Sequence, residues 1–210
     1  MKKTVLVAAM VLLAVAAFAA ETNSTPEQAE AKYTAAIEGR TADILKVLAL
    51  TDGDKTVKVH DVIIAQYRAL KAWHDENDAK LKASAKDTNA VAQIRSSLKT
   101  IHDAFLARLS ESLTPPQVEQ VKDKLTYGKV QFTFAGYLAA YPNLADGHKQ
   151  KILELLKQAR EEAMDGGSAE EKTAVFQKCK GRINNYLSKQ GIHPDKKTAP
   201  AKPETNSPAK

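Results

Sequence analysis

Apolar residues recur along most of the chain at intervals of three and four, and almost nowhere do they alternate in twos. Val59, Ile63, Leu70, Asn77 and Leu81 fall in one stripe at about 100° per residue, with Tyr67 and His74 on one flank and Trp73 on the other. That pattern predicts a long amphipathic helix over about 55–82. Val91, Ile94, Leu98, Ile101, Phe105 and Leu109 predict another over about 90–112, and the polar stretch 84–89 between them makes an antiparallel helical hairpin. Further on, Ile152, Leu155, Leu156, Ala159 and Ala163 face Val175, Phe176, Cys179, Ile183, Tyr186 and Leu187 across the break Asp165-Gly166-Gly167. Ser168 with Glu171 reads as a capping box and Gly191 as the closing cap. This is a second hairpin, over about 145–164 and 168–189, expected to pack on the first. Gly181, in its last helix, would let a neighbouring backbone come close.

Two start signals punctuate the rest. Thr25-Pro26-Glu27-Gln28 and Thr114-Pro115-Pro116-Gln117 each join an N-cap threonine, a first-turn proline and a glutamine at the third position. The first opens a helix with Tyr33 and Ile37 that is expected to falter at Gly39. A short piece carrying Ile44, Leu45 and Leu48 follows. The second opens a helix with Val118, Val121 and Leu125 that stops at Tyr127-Gly128. Val130-Phe132-Phe134 alternates like a strand but has no partner to satisfy its backbone, so a loop entering a short helix near 133–140 is expected. The fold class is all-α: about seven helices, two antiparallel helical hairpins packed as a bundle, and a disordered C-terminal tail.

The two ends read differently from the middle. Lys2-Lys3, the apolar run from Val5 to Phe18 and the small-x-small Ala17-Phe18-Ala19 make residues 1–19 an export signal peptide. The apolar run is too short for a membrane span, and the mature protein is expected in the periplasm or secreted. Residues 194–210 hold four prolines among lysine, alanine, threonine and serine with no apolar period, hence the disordered tail. Residues 20–193 suffice for a single helical domain.

Charge changes the picture little. The chain carries 31 Lys+Arg against 25 Asp+Glu, net +6. Setting aside the lysines of leader and tail, with Asp195 and Glu204, leaves the domain close to neutral, so no nucleic-acid footprint is read. Cys179 is the single cysteine, which excludes an internal disulfide, and its place on the apolar face predicts a buried, inert thiol.

The chain has five histidines that could carry chemistry. His60, His74 and His102 each precede an aspartate, and His74 and His102 could meet across the first hairpin. The chain has no HExxH or CxxC, so partly buried histidines held by local hydrogen bonds are expected, with no metal, cofactor or catalytic set. Glu161-Glu162, Glu170-Glu171 and Asp75-Glu76-Asp78 read as solvated carboxylates. A ligand site is the alternative the chain offers. Arg182, Asn184 and Asn185 supply planar donors and acceptors for hydroxyl groups, while Tyr127, Tyr137, Tyr141, Tyr186 and Trp73 supply aromatic faces. The same residues would serve equally as core filler and helix caps.

LTPPQVEQVKDKLTYG (113–128), AREEAMDG (159–166) and KGRINNYL (180–187) together resemble an exported bacterial family catalogued as domain of unknown function 3826. The likeness runs from about Ala31 to Gly191. It implies sugar binding alongside polysaccharide-degrading systems and carries over no catalytic residue. Leu113-Thr114-Pro115-Pro116-Gln117 is also similar to a motif of small periplasmic stress chaperones. The expected function is an exported, non-catalytic carbohydrate-binding or accessory protein with a poly- or oligosaccharide as partner. A periplasmic chaperone-like binder is the alternative, and a polysaccharide lyase or hydrolase the lesser one.

Overall fold

A computed structural model describes residues 25–195; the stretch 1–19, expected to be an export signal, and the expected tail from 196 onward lie outside the described residues. Seven α-helices and no strand are present among the described residues: α1 (Pro26–Leu48), α2 (Gly53–Ala83), α3 (Thr88–Ser110), α4 (Pro115–Leu125), α5 (Lys129–Ala140), α6 (Asp146–Met164) and α7 (Ala169–Lys189). Two compact units divide the chain, one up to Arg40 and one from Thr41 onward. The first is, among the described residues, the N-terminal part of α1, capped by reciprocal bonds between Thr25 and Gln28. All that follows concerns the second.

Two hairpins frame this unit. In α2–α3 the indole of Trp73 donates to Ser97 Oγ at 2.8 Å. In α6–α7 the Cys179 thiol donates to the Leu155 carbonyl at 3.3 Å and His148 lies beside Tyr186, so both pairs run antiparallel. α4 bridges the hairpins by packing on α3 and α6, and α5 packs on α6. One core gathers Ile44, Leu48, Val59, Ile63, Phe105, Leu109, Leu113, Val118, Val121, Leu125 and Met164. The other gathers Val130, Tyr137, Leu144, Ile152, Leu156, Ala159, Ala163, Phe176, Cys179, Ile183 and Leu187. α6 belongs to both, because its last residue, Met164, enters the first core.

The caps at Thr114, Ser168 and Gly191 sit where the sequence placed them, and Asp52 and Asp87 add two more. Asp52, Asp87 and Ser168 accept from the first turns of α2, α3 and α7. Thr114 and Gln117 form the reciprocal capping box of α4. At the end of α7, Ile192 N–H donates to Leu187 O and Gly191 N–H to Ser188 O, both at 3.0 Å, with Gly191 at φ 69°. That double bond is the Schellman closure, which folds the chain back over the helix end.

Three local expectations are corrected. The first helix does not falter at Gly39 but runs unbroken to Leu48; one glycine costs about 1 kcal/mol, which 23 helical residues absorb. α5 begins at Lys129 rather than near 133, because Tyr127 and Gly128 both turn left-handed (φ 58° and 62°) and restart the helix at once. Gly181 meets no close backbone: a Cβ there would find open space.

Candidate functional site

Most of the residues singled out from the sequence fall in two places, with Tyr127, Arg182 and Asn185 outside both. The first lies where α5, α6 and α7 meet the chain beyond Gly191. Tyr137 points inward from α5 and its hydroxyl donates to Asn184 Oδ1 at 2.8 Å, with Lys180 O 3.2 Å away sharing the same hydrogen. Tyr141 stacks on it, centroids 6.1 Å apart and planes 23° apart. Burial pushes both phenols above their ordinary range, so both hydroxyls stay neutral at physiological pH. Tyr186 Oη and His148 Nδ1 are 2.8 Å apart, with rings tilted at 58°. The returning chain is tied down by Asp195 N–H donating to Ala140 O at 3.0 Å. Between these elements opens a cavity of about 410 Å³ lined by Tyr141, Asn143, Leu144, His148, Ile192, His193 and Asp195 among others.

Tyr137, Tyr141, Asn184 and Tyr186 are thus brought together at one end of the second hairpin. Asn184, Asn185 and Arg182 are all exposed on α7, and of the three only Asn184 bonds to the tyrosine pair. The Arg182 guanidinium lies near the Cys179 thiol, whose pKa burial nevertheless raises, consistent with an inert group. Tyr127, half exposed, stands apart at the α4–α5 turn. Trp73 is buried in the first hairpin, edge-on to His74 at 5.0 Å. Asn143, His148, Ile192, His193 and Asp195 went unremarked as ligand contacts in the sequence. Only the turn geometry at Gly191 brings the last three to this cavity.

The second place is a polar groove where α2 and α3 meet the α6–α7 turn. His74 and His102 do meet, through Asp165: His74 Nε2–H donates to the Asp165 carbonyl at 2.8 Å, and His102 Nδ1 lies 3.0 Å from its Oδ1. Asp78 Oδ1 sits 2.8 Å from His74 Nδ1, and Glu161 Oε2 3.7 Å from His102 Nε2. The Asp165 carboxylate, above all by its hydrogen bond, raises the His102 pKa above the ordinary value of 6.5. For His74 burial acts downward, but the bonds to Asp165 and Asp78, with the charge of Glu171, outweigh it. Two adjoining hollows of about 290 and 350 Å³ open here, sharing Arg95, Leu98, Glu162 and Asp165. The carboxylates at 161, 162 and 171 were expected to face water alone; Glu161 and Glu171 instead carry specific contacts.

Beside this groove an ionic lattice clamps α4 to α6. Arg160, 2 % exposed, donates from Nη1 to Asp123 Oδ1 at 2.5 Å and from Nη2 to Glu119. Lys122 Nζ donates to Glu161 at 2.9 Å. Buried Lys172, from α7, donates to the Leu125 carbonyl at 3.0 Å and so caps the C-terminal end of α4. Arg160 fixes helix packing and leaves no charge open to a ligand.

The chain matches the family described as "Protein of unknown function (DUF3826)" over residues 34–200, and it belongs to that family. No curated protein matches it. Two of the three segments that carried the resemblance, 113–128 and 159–166, supply the Arg160 lattice. The third, 180–187, does not line the tyrosine cavity; its Asn184 and Tyr186 bond to Tyr137 and His148 beside it.

Proposed function

We propose that this member of the DUF3826 family is an exported, non-catalytic carbohydrate-binding protein, accessory to polysaccharide use, whose sugar occupies the cavity beside Tyr141. One observation carries the reading: an aromatic ring backed by a second ring forms one wall of a hollow whose other walls mix apolar residues (Leu144, Ile192) with the polar groups of Asn143, His148, His193 and Asp195. Tyr141 supplies the face for the apolar C–H surface of a sugar ring, and Tyr137, fixed by Asn184, holds that face in place. His148, His193, Asn143 and Asp195 supply donors and acceptors for hydroxyls. At about 410 Å³ the cavity is near the small end of ligand sites, suited to one or two sugar rings rather than a long chain segment. The export signal expected at 1–19 supports a location outside the cytoplasm, and no described helix is long and apolar enough to cross a membrane.

The test is a panel of plant and algal oligosaccharides titrated calorimetrically against the wild type and Tyr141→Ala. Binding of at least one glycan, lost in the variant, is expected. No binding across the panel, or binding that Tyr141→Ala leaves intact, overturns the reading.

The lyase or hydrolase reading keeps one observation in its favour, the convergence of His74, His102, Asp165 and Glu162 on the groove. Glycan cleavage that His102→Gln abolishes would establish it in place of binding. The chaperone-like reading has less behind it: the large apolar residues exposed among the described ones are Val47, Val57, Tyr127 and Phe132, short of a broad client face.

A further inference from the structure

His74 is held more tightly than a packing residue needs. Its Nε2 lies 2.8 Å from a backbone carbonyl, that of Asp165, which can only accept; Nε2 must therefore carry the hydrogen. The ring lies flat against the backbone at Gly167, where a Cβ would come 2.8 Å from His74 Cγ, and the edge of Trp73 closes another side. With Nε2 committed, Nδ1 of the neutral ring presents its lone pair to Asp78 Oδ1, also an acceptor, at 2.8 Å. Two acceptors face each other at contact distance. Something positive must stand between them, either a second ring proton or a cation.

A third ligand atom is at hand. The carboxylate of Glu171, one turn into α7, is oriented by the bond Gly167 N–H donates to its Oε2 at 2.8 Å. Ligand atoms of His74, Asp78 and Glu171 all lie within 4.8 Å of one another. Zinc–ligand bonds of about 2.0–2.1 Å in a tetrahedral site put ligand atoms roughly 3.3 Å apart. Asp78 and Glu171 are both exposed, so small side-chain rotations bring the three to that spacing. A histidine that donates one ring nitrogen to a backbone carbonyl while its other nitrogen points at carboxylates has the outer-shell arrangement typical of metal-ligating histidines.

We propose that His74 Nδ1, Asp78 and Glu171 bind a divalent transition-metal cation of the Zn²⁺ class. The fourth position opens into the adjoining hollow of about 290 Å³, which gives the site the three-ligand, one-open form rather than the closed structural form. Arg95 and Lys178 line that hollow together with Asp78, Glu162, Asp165 and Glu171, so carboxylates outnumber bases and the local field favours a cation. The site is separate from the tyrosine cavity, and its fate is independent of the sugar reading.

The experiment uses the full mature chain, stripped with chelator and titrated with Zn²⁺ by calorimetry in buffers of different ionisation enthalpy. One Zn²⁺ per chain is expected, with proton release at neutral pH, because the metal displaces a ring proton. Co²⁺ should quench the fluorescence of Trp73, which is in contact with His74. Asp78→Asn and Glu171→Gln should each weaken binding by about tenfold or more, since even outer-shell partners are worth roughly 10–100-fold. Glu76→Gln, on the same helix but paired with Lys80, should leave it unchanged. Circular dichroism of each variant separates loss of a ligand from loss of fold. No uptake at millimolar Zn²⁺, or uptake that neither Asp78→Asn nor Glu171→Gln weakens, overturns the proposal.

Discussion

Replacing Arg160 with methionine should cost the domain about 2–4 kcal/mol. The side chain is 3 % exposed and bonded to Glu119 and Asp123, so its removal breaks a buried ion cluster. Breaking such a pair typically costs about 3–5 kcal/mol, mainly because the orphaned partner charge stays out of water. Here the partners are less deeply placed, with side-chain exposures of 43 % for Glu119 and 23 % for Asp123. They can rehydrate in part, which moves the figure down. Methionine restores some packing volume, and the lost Nε has no partner to forfeit. For a chain of this size each kcal/mol shifts Tm by roughly 2–4 °C, so a loss near 3 kcal/mol lowers it by about 6–12 °C. Urea unfolding followed by circular dichroism measures the change. Adding Glu119→Gln and Asp123→Asn to Arg160→Met should recover most of it, because no buried charge then lacks a partner. If Arg160→Met alone shifts stability by less than about 1 kcal/mol, the lattice does not clamp α4 to α6 as argued.

Stability should also depend on pH above about 6.5. His102 has a folded pKa above 6.5, so its protonated form stabilises the fold; that contribution is complete below pH 6.5 and is lost as pH rises through the raised value. Thermal melts should therefore show Tm falling across that window, and His102→Gln should flatten the fall. Gly167→Ala should destabilise by about 1–3 kcal/mol, since its Cβ would press on the His74 ring and the ring cannot yield without leaving Asp165. A crystal structure or His74 ring NMR shifts would show the displaced imidazole. Tyr137→Phe should cost about 1–2 kcal/mol by urea unfolding, leaving Asn184 and Lys180 without its hydroxyl.

Helices and caps were legible because they depend on near neighbours. The 3.6-residue period, the Thr114–Gln117 box and the Ser168 cap needed only a few residues of context, and Cys179 could be placed inside from Phe176 and Ile183 alone. Gly39 and Gly181 misled for the complementary reason: a glycine permits a break or a close approach but does not compel one. The sites were far less legible. Arg160 and Glu119 lie 41 residues apart, His74 and Asp165 91 apart. No local pattern marks such a pair. Trp73 and Tyr127 counted as aromatic faces by type, yet one fills a hairpin seam and the other an exposed turn, remote from the cavity that Tyr141 lines. The His-Asp dipeptides did not mark the partners of His74 and His102: Asp75 and Asp103 pair with Lys71 and Lys99, and His74 bonds Asp78, one helical turn on. Spacing of four, the helical neighbour, was the clue to use.

The most direct measurement is an amide and indole NMR titration of the ¹⁵N-labelled protein with the tightest-binding oligosaccharide. Shifts confined to Tyr141, Leu144, His148 and Ile192, with the Trp73 indole unmoved, are predicted. Shifts centred on Trp73 and His74, or none anywhere, would contradict the placing of a sugar beside Tyr141.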